Sequence, residues 1–212
     1  MEIFSKFVDG KAVILVGPPL SGKDELIYRY IDYLLNKNEP VVSISTDSSP
    51  EEAKKEMMKS KIFVTKFEDS GILRHIDCYS KNAGDSVSDT SAIKRVSSPL
   101  ALNEISIALS NIESELHPKY PVHRIVFKSL STLLMYSNAN AVGRFIQVFI
   151  AKIKKAGGGI LFTVEEGMHE PNVLVTLEHL MDGIIEIKKE SAKVMVKGRG
   201  IEGLEDWTEI KL

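Results

Sequence analysis

The fold is set by residues 11–37, KAVILVGPPLSGKDELIYRYIDYLLNK. An apolar run over residues 11–17 is typical of a buried strand, and residues 24–37 place apolar side chains at the three- and four-residue spacing of a helix. The turn between them supplies Gly17, four residues, Gly22 and Lys23, which is the spacing of a phosphate-binding loop. The strand, turn and helix together favour such a loop over an unrelated strand–turn–helix unit.

A loop of this kind holds phosphate because successive backbone N–H groups point inward and the next helix presents its positive end. The lysine reaches the terminal phosphates. The sequence therefore predicts a nucleotide-binding site that includes Gly17, Pro18, Ser21, Gly22 and Lys23.

Two positions that normally face a magnesium ion are altered. The residue after the loop lysine is usually Ser or Thr, whose hydroxyl binds Mg²⁺, but here it is Asp24. The second element is a later apolar strand that ends in a metal-holding aspartate. The best candidate is HRIVFKSLSTLLMY, residues 123–136, which has Lys128 after RIVF. We predict that the Lys128 ammonium replaces the metal and pairs with Asp24, so no metal ligand is assigned. The other interpretation is that both residues drifted and point to solvent.

Apolar runs bounded by turn residues alternate with stretches of helical spacing along the chain, which predicts an α/β fold with a mostly parallel sheet and helices on both faces. We treat residues 1–212 as one domain. Helices are predicted at 24–37, from Pro50 onward and at 99–116, whereas 81–98 and 165–170 are predicted to be polar, solvated segments. Strands are predicted at residues 11–17, 40–46, 61–67, 74–80, 123–129, 158–165 and 183–190, and the last of these forms a hairpin with 192–198.

Bulk properties exclude several function classes. The net charge of −2 argues against a general nucleic-acid binder, and no apolar run approaches the ~20 residues of a membrane span. The N-terminal sequence lacks the pattern of a secretory signal, so we expect a cytoplasmic protein. Cys78 is the only cysteine, which rules out an intramolecular disulfide and a cysteine-based zinc site. The five histidines lack metal-ligand spacing, and a serine nucleophile elbow is absent.

Several stretches together resemble the KaiC-like members of the RecA-superfamily ATPases, particularly the short single-domain proteins common in archaea. The resemblance covers almost the whole chain. It rests on GPPLSGKD (17–24), VVSISTDSSPEEAKKEM (41–57), HIDCYS (75–80), VSSPLALNEISIALSNI (96–112), RIVFKSLSTLLMY (124–136) and HLMDGIIEI (179–187) followed by VKGRG (196–200).

The resemblance implies a three-layer RecA-like core and a ring that binds ATP between subunits. In the family a carboxylate pair after the second strand activates water, and here Asp47 and Ser48 stand at those positions, which puts general-base catalysis by Asp47 in doubt. Lys197 and Arg199 match basic residues that reach the phosphates of a neighbouring subunit; the alternative is a basic hairpin tip in solvent. Thr163, which we place at the end of the strand GGILFTVE, matches a small hydroxyl residue near the γ-phosphate; the alternative is an ordinary strand-end threonine.

These departures predict a degenerate pseudo-ATPase that binds ATP or ADP, with magnesium doubtful as a cofactor. Its predicted role is that of a regulatory or scaffold subunit, which assembles with itself or with an active relative. Two alternatives remain open. One is a weak magnesium-dependent ATPase in which Asp47 is the base and Asp24 holds the metal, and the other is a protein-interaction module with an empty pocket.

Overall fold

The computed structural model describes residues 2–7 and 10–212. In these residues, nine strands form one sheet in the order β4-β3-β2-β5-β6-β1-β7-β8-β9. Neighbours from β4 to β7 are parallel, whereas β8 and β9 are added antiparallel. The pairing of β7 with β8 is the predicted C-terminal hairpin. The strands are β1 (Ala12–Gly17), β2 (Val41–Ser45), β3 (Leu73–Asp77), β4 (Ile93–Arg95), β5 (Arg124–Lys128), β6 (Gly159–Glu165), β7 (Gly183–Glu190), β8 (Lys193–Arg199) and β9 (Thr208–Ile210).

Helices cover both faces of the sheet and complete the three-layer α/β architecture expected from the sequence. A short 3₁₀ helix (Glu2–Lys6) packs with α1 and α2 on one face, and α4 to α7 pack on the other. The α-helices are α1 (Lys23–Asn36), α2 (Pro50–Lys59), α3 (Thr65–Asp69), α4 (Leu102–Leu116), α5 (Leu130–Tyr136), α6 (Ala139–Lys155) and α7 (Pro171–His179).

Strand β1 is apolar throughout because both of its faces are buried. Val13 and Leu15 belong to the core beneath α1, whereas Ala12, Ile14 and Val16 belong to the core on the opposite face. A central parallel strand with helices above and below reads as a continuous apolar run rather than an alternating one. The first strand therefore fixes the loop that follows it between two packed layers.

The start of α2 is confirmed at Pro50. The Ser49 hydroxyl accepts a hydrogen bond from the Glu52 N–H at 3.1 Å, and the Glu52 carboxylate accepts one from the Ser49 N–H at 3.0 Å. This reciprocal capping box satisfies two N–H groups that would otherwise lack partners at the helix start.

Two segments differ from the prediction. Residues 61–67 are not a strand: Val64 caps α3, which begins at Thr65, and Phe63 is 63% exposed. The apolar residues Ile62 and Val64 are buried against a core without joining the sheet. The polar segment 81–98 contains the short strand β4, which pairs with β3.

The candidate strand at residues 123–136 divides at Lys128. Only Arg124–Lys128 is extended, and α5 begins two residues later. Among the described residues, no helix is both long and apolar enough to cross a membrane.

Candidate functional site

The predicted site residues meet at the carboxyl edge of the parallel strands, with Lys197 and Arg199 as exceptions. β1 leads into the loop formed by residues 17–22, and β6, β5 and β2 follow in that order across the sheet. Lys128 ends β5, Glu165 ends β6, and Asp47 lies two residues beyond β2. Parallel α/β sheets bind ligands outside this edge, so the fold places these side chains where a ligand would approach.

Both glycines of the loop are required by their surroundings. A Cβ atom on Gly17 would collide with the side chain and carbonyl of Ile187. Gly22 has a φ of +94°, and a Cβ atom there would lie 3.1 Å from Val194 Cγ2. Gly17 is needed because Ile187 lies too close for a side chain, and Gly22 is needed because its backbone is in the left-handed region.

Leu20, at the tip of the loop, is in an unusual conformation. Its φ is +61°, in the left-handed region, and the residue is 94% exposed. A non-glycine residue with this backbone carries about 1 kcal/mol of strain, and an exposed side chain gains little packing in return.

Lys23 points back into its own loop. Its Nζ donates to the carbonyls of Gly17 and Pro18, each at 2.7 Å, and lies 2.9 Å from Glu165 Oε2. Ser21 Oγ lies 3.4 Å away. The Lys23 side chain is only 8% exposed, so three short contacts hold a buried ammonium in place.

Lys128 lies between two carboxylates, and the predicted pair with Asp24 is present. Its Nζ is 3.3 Å from Asp24 Oδ1 and 3.4 Å from Asp47 Oδ1, and it donates to Ser48 Oγ at 3.2 Å. The Lys128 side chain is 12% exposed, whereas that of Asp24 is 64% exposed. Both residues that depart from the magnesium pattern therefore join one ion cluster, to which Asp47 is added.

The charge of Lys128 is maintained by its neighbours. Burial alone would lower the pKa of Lys128, but the carboxylates of Asp47 and Asp24 outweigh that effect and raise the pKa above its ordinary value. The side chain is thus an ammonium at neutral pH.

A magnesium ion does not fit beside this ammonium. A cation bound to Asp24 would face the Lys128 ammonium, which lies 3.3 Å from the same carboxylate. Two cations that share one carboxylate repel each other, so the Lys128 ammonium disfavours a second cation at Asp24. Across residues 2–7 and 10–212, no group of three or more His, Cys, Asp or Glu side chains is placed to hold a metal ion.

Asp47, the base in the alternative of a weak ATPase, makes its contacts through one carboxylate oxygen. Its Oδ1 accepts hydrogen bonds from Ser45 Oγ and Ser48 Oγ, each at 3.2 Å, in addition to its contact with Lys128. Two hydroxyl donors and the Lys128 ammonium therefore converge on this one carboxylate oxygen. The arrangement orders a charge cluster rather than an activated base.

Thr163 lies inside β6 and not at its end. Its Oγ1 accepts a hydrogen bond from the Ser129 N–H at 2.8 Å, and the residue is 5% exposed. Ser129 has a φ of +67°, and Thr46 Oγ1 donates to its carbonyl at 2.7 Å. Thr163 therefore helps to hold the turn that aims Lys128.

The interpretation of residues 165–170 as solvated surface was wrong for two residues. Glu165 contacts Lys23, and its N–H donates to Ser131 Oγ at 2.9 Å. His169 Nε2 lies 2.9 Å from the same hydroxyl, and burial lowers the pKa of His169. The useful signal is the position of Glu165 at the end of a strand, level with Gly17 in β1, but it requires the strand order to be known.

Lys197 and Arg199 do not join the loop in this chain. They lie in β8, beyond the turn of the hairpin, so a hairpin tip is the wrong description of their position. Arg199 pairs with Glu178 at 2.9 Å and with Glu186 at 3.0 Å. Within the described chain, neither cation bonds to the loop.

A separate cavity of about 550 Å³ lies near the opposite edge of the sheet. Its charged groups pair with one another: Lys152 Nζ is 2.7 Å from Glu113 Oε2, and His123 Nε2 is 3.4 Å from Glu113 Oε1. It lacks a glycine loop or a helix N-terminus, so we place the function at the loop instead. The cavity is lined by Ser110, Glu113, Ser114, His117, Pro118, Tyr120, Pro121, His123, Lys152 and Ala156.

Comparison with known proteins places the chain in a family without assigning an activity. A search of curated proteins finds no match. The sequence profile of one family matches residues 10–187, which include the loop, Asp47, Lys128 and Glu165 but not Lys197 or Arg199. Because this match spans most of the chain, the protein belongs to DUF7504, a family of unknown function.

Proposed function

We propose that this protein is a KaiC-like nucleotide-binding pseudo-ATPase, which binds a nucleotide without magnesium and does not hydrolyse it. Its role is that of a regulatory or scaffold subunit in an assembly with itself or with an active relative.

The observation that carries the proposal is the position of Lys128 between Asp24 and Asp47. In phosphate-loop proteins the residue after the loop lysine and the end of the later strand hold Mg²⁺. Here the two positions hold a carboxylate and an ammonium in contact. The ammonium supplies a fixed positive charge, which supports nucleotide binding without a divalent cation.

The loop provides the remaining donors. Gly22 caps α1 without a side-chain acceptor, so the backbone N–H groups of the first helical turn remain available to a phosphate. Lys23 adds a second cation once phosphate replaces the Glu165 carboxylate. The N–H groups and Lys23 hold the phosphate, and the adjoining cluster of Lys128, Asp24 and Asp47 orients it.

Hydrolysis is disfavoured by the state of Asp47. Catalysis of phosphoryl transfer depends on a positioned nucleophile and on cations that neutralise developing charge. Asp47 is held by Ser45, Ser48 and Lys128, and Lys128 is shared between two carboxylates. One oxygen of Asp47 is thus taken up by two hydroxyl groups and an ammonium, and the charge of Lys128 is divided between two carboxylates, which disfavours hydrolysis.

The assembly role rests on Lys197 and Arg199, which do not contact the loop of their own chain. In a ring or smaller oligomer they would serve the site of a neighbouring subunit. We place the protein in the cytoplasm, since Cys78, its only cysteine, is a buried free thiol that suits a reducing compartment.

Calorimetric titration with ADP and ATP in EDTA tests the proposal. We expect saturable binding to the wild type and loss of binding in Lys23→Ala. Lys55→Ala, which removes an exposed lysine on α2, is the matched control and should bind like the wild type. A wild type that binds neither nucleotide in EDTA or in Mg²⁺ would favour the interaction module, and magnesium-dependent phosphate release abolished by Lys23→Ala would favour the weak ATPase.

A further inference from the structure

We infer that the site selects a nucleoside diphosphate over a triphosphate, an inference that rests on the proposed nucleotide binding. The juxtaposition that carries it is the placement of Asp24 and Asp47 on the side of the loop where a third phosphate would lie.

The donors of the site are concentrated where the first two phosphates bind. Loop N–H groups cradle the α- and β-phosphates of a nucleotide, and the loop lysine reaches the β- and γ-phosphates. In this chain the loop lysine lies against the carbonyls of Gly17 and Pro18, close to the loop itself. These donors suffice for a diphosphate.

The region beyond the β-phosphate is acidic. Lys23 and Lys128 supply two positive charges, and Asp24, Asp47 and Glu165 supply three negative charges. The cluster as a whole therefore carries one negative charge. The charge of Lys128 in this cluster is already shared by two carboxylates.

The hydroxyl groups near this region are also engaged. The Thr163 oxygen accepts the Ser129 N–H, and Ser48 Oγ donates to Asp47 while it accepts from Lys128. A γ-phosphate that accepted from Ser48 would have to break its hydrogen bond to Asp47 and approach the carboxylates of Asp24 and Asp47. A terminal phosphate thus meets repulsion that a diphosphate avoids.

The size of the effect follows from Coulomb's law. Two unit charges 4 Å apart interact by about 1 kcal/mol in water and about 4 kcal/mol near a protein surface. Each 1.4 kcal/mol changes a dissociation constant tenfold. We expect ADP to bind at least about tenfold more tightly than ATP in the absence of a divalent cation.

The test is calorimetric titration of ADP and ATP in EDTA against the wild type, Asp24→Asn and Asp47→Asn. Each variant removes one carboxylate with little change in volume, so the preference for ADP should shrink in both. Asp85→Asn, on an exposed segment away from the loop, is the control and should keep the wild-type ratio. Thermal unfolding of each variant establishes that it is folded.

The possible results distinguish a failure of ADP selectivity from a failure of nucleotide binding. ATP binding as tight as ADP binding, or a preference that is unchanged in both Asp variants, overturns the selectivity while leaving nucleotide binding intact. Failure of both nucleotides to bind the folded wild type overturns the proposed function and this inference with it.

Discussion

Replacing Glu165 by glutamine should strengthen nucleotide binding and lower the free energy of unfolding of the ligand-free protein. Glu165 Oε2 lies 2.9 Å from Lys23 Nζ. In the proposed nucleotide complex a phosphate oxygen replaces this carboxylate as the partner of Lys23. Nucleotide binding must therefore break this ion pair before Lys23 can act on the ligand. Glutamine keeps the shape and an accepting oxygen but removes the charge that competes with phosphate.

The magnitude follows from the burial of the two partners. An exposed ion pair contributes about 0.2–1 kcal/mol, whereas a hydrogen bond to a charged group contributes about 1.5–3 kcal/mol. The Lys23 side chain is 8% exposed but that of Glu165 is 32% exposed, so solvent screening reduces the interaction. We take about 1 kcal/mol for the pair, which corresponds to a roughly fivefold lower dissociation constant for ADP.

Two measurements on Glu165→Gln check this prediction. Calorimetry should report the tighter ADP binding, and urea unfolding without ligand should report a loss of about 1 kcal/mol, because Lys23 loses a charged partner. Glu166→Gln removes the next, exposed carboxylate and should change neither quantity. Weaker or unchanged ADP binding by Glu165→Gln would refute the idea that this carboxylate occupies a phosphate position.

Further stability predictions concern Lys128, Leu20 and Leu15. Lys128→Met leaves Asp24 and Asp47 without their shared cation, and we expect about 1–2 kcal/mol lower stability at pH 7, since both carboxylates are partly exposed. The pKa of Lys128 is raised in the folded state, so the difference in free energy of unfolding between the wild type and Lys128→Met should be complete below pH 10.5 and should disappear as the pH rises beyond it. A difference that persists unchanged in an unfolding series at high pH would contradict this. The free energy of unfolding of Leu20→Gly should stay within about 1 kcal/mol of the wild-type value, because relief of the left-handed backbone strain offsets the greater conformational entropy of the unfolded chain. Leu15→Ala, in the buried strand β1, should lose about 2–5 kcal/mol in the same urea assay, and an equal loss in Leu20→Gly would show a packing role for Leu20.

The sequence predicted the centre of the site because its signal is local. Gly17, Gly22 and Lys23 lie within seven consecutive residues, between a strand and a helix whose apolar spacing is distinct. The pair of Asp24 and Lys128 could also be predicted from the sequence, since both residues stand at positions that hold the same metal ion in phosphate-loop proteins.

The contact of Glu165 with Lys23 could not be predicted from the sequence in this way. This contact depends on β6 lying next to β1, and short apolar runs do not specify strand order. The same limit explains residues 61–67, whose apolar and β-branched side chains imitate a strand. Ile62 and Val64 are buried against a core, but the segment turns into α3 instead of joining the sheet.

The short C-terminal strand β9 was missed for a related reason. It comprises only Thr208–Ile210 and pairs with β8 at the edge of the sheet. Three residues are too few for an alternating pattern to stand out, so the tertiary pairing and not local propensity defines this strand.

The most direct test of the central claim compares ADP binding by the wild type in EDTA and in Mg²⁺, with Lys128→Asp titrated in parallel. If the Lys128 ammonium stands in for the metal, the wild type should bind ADP with the same affinity in both buffers, and Lys128→Asp should lose binding in EDTA. Wild-type binding that appears only with Mg²⁺ would contradict the claim.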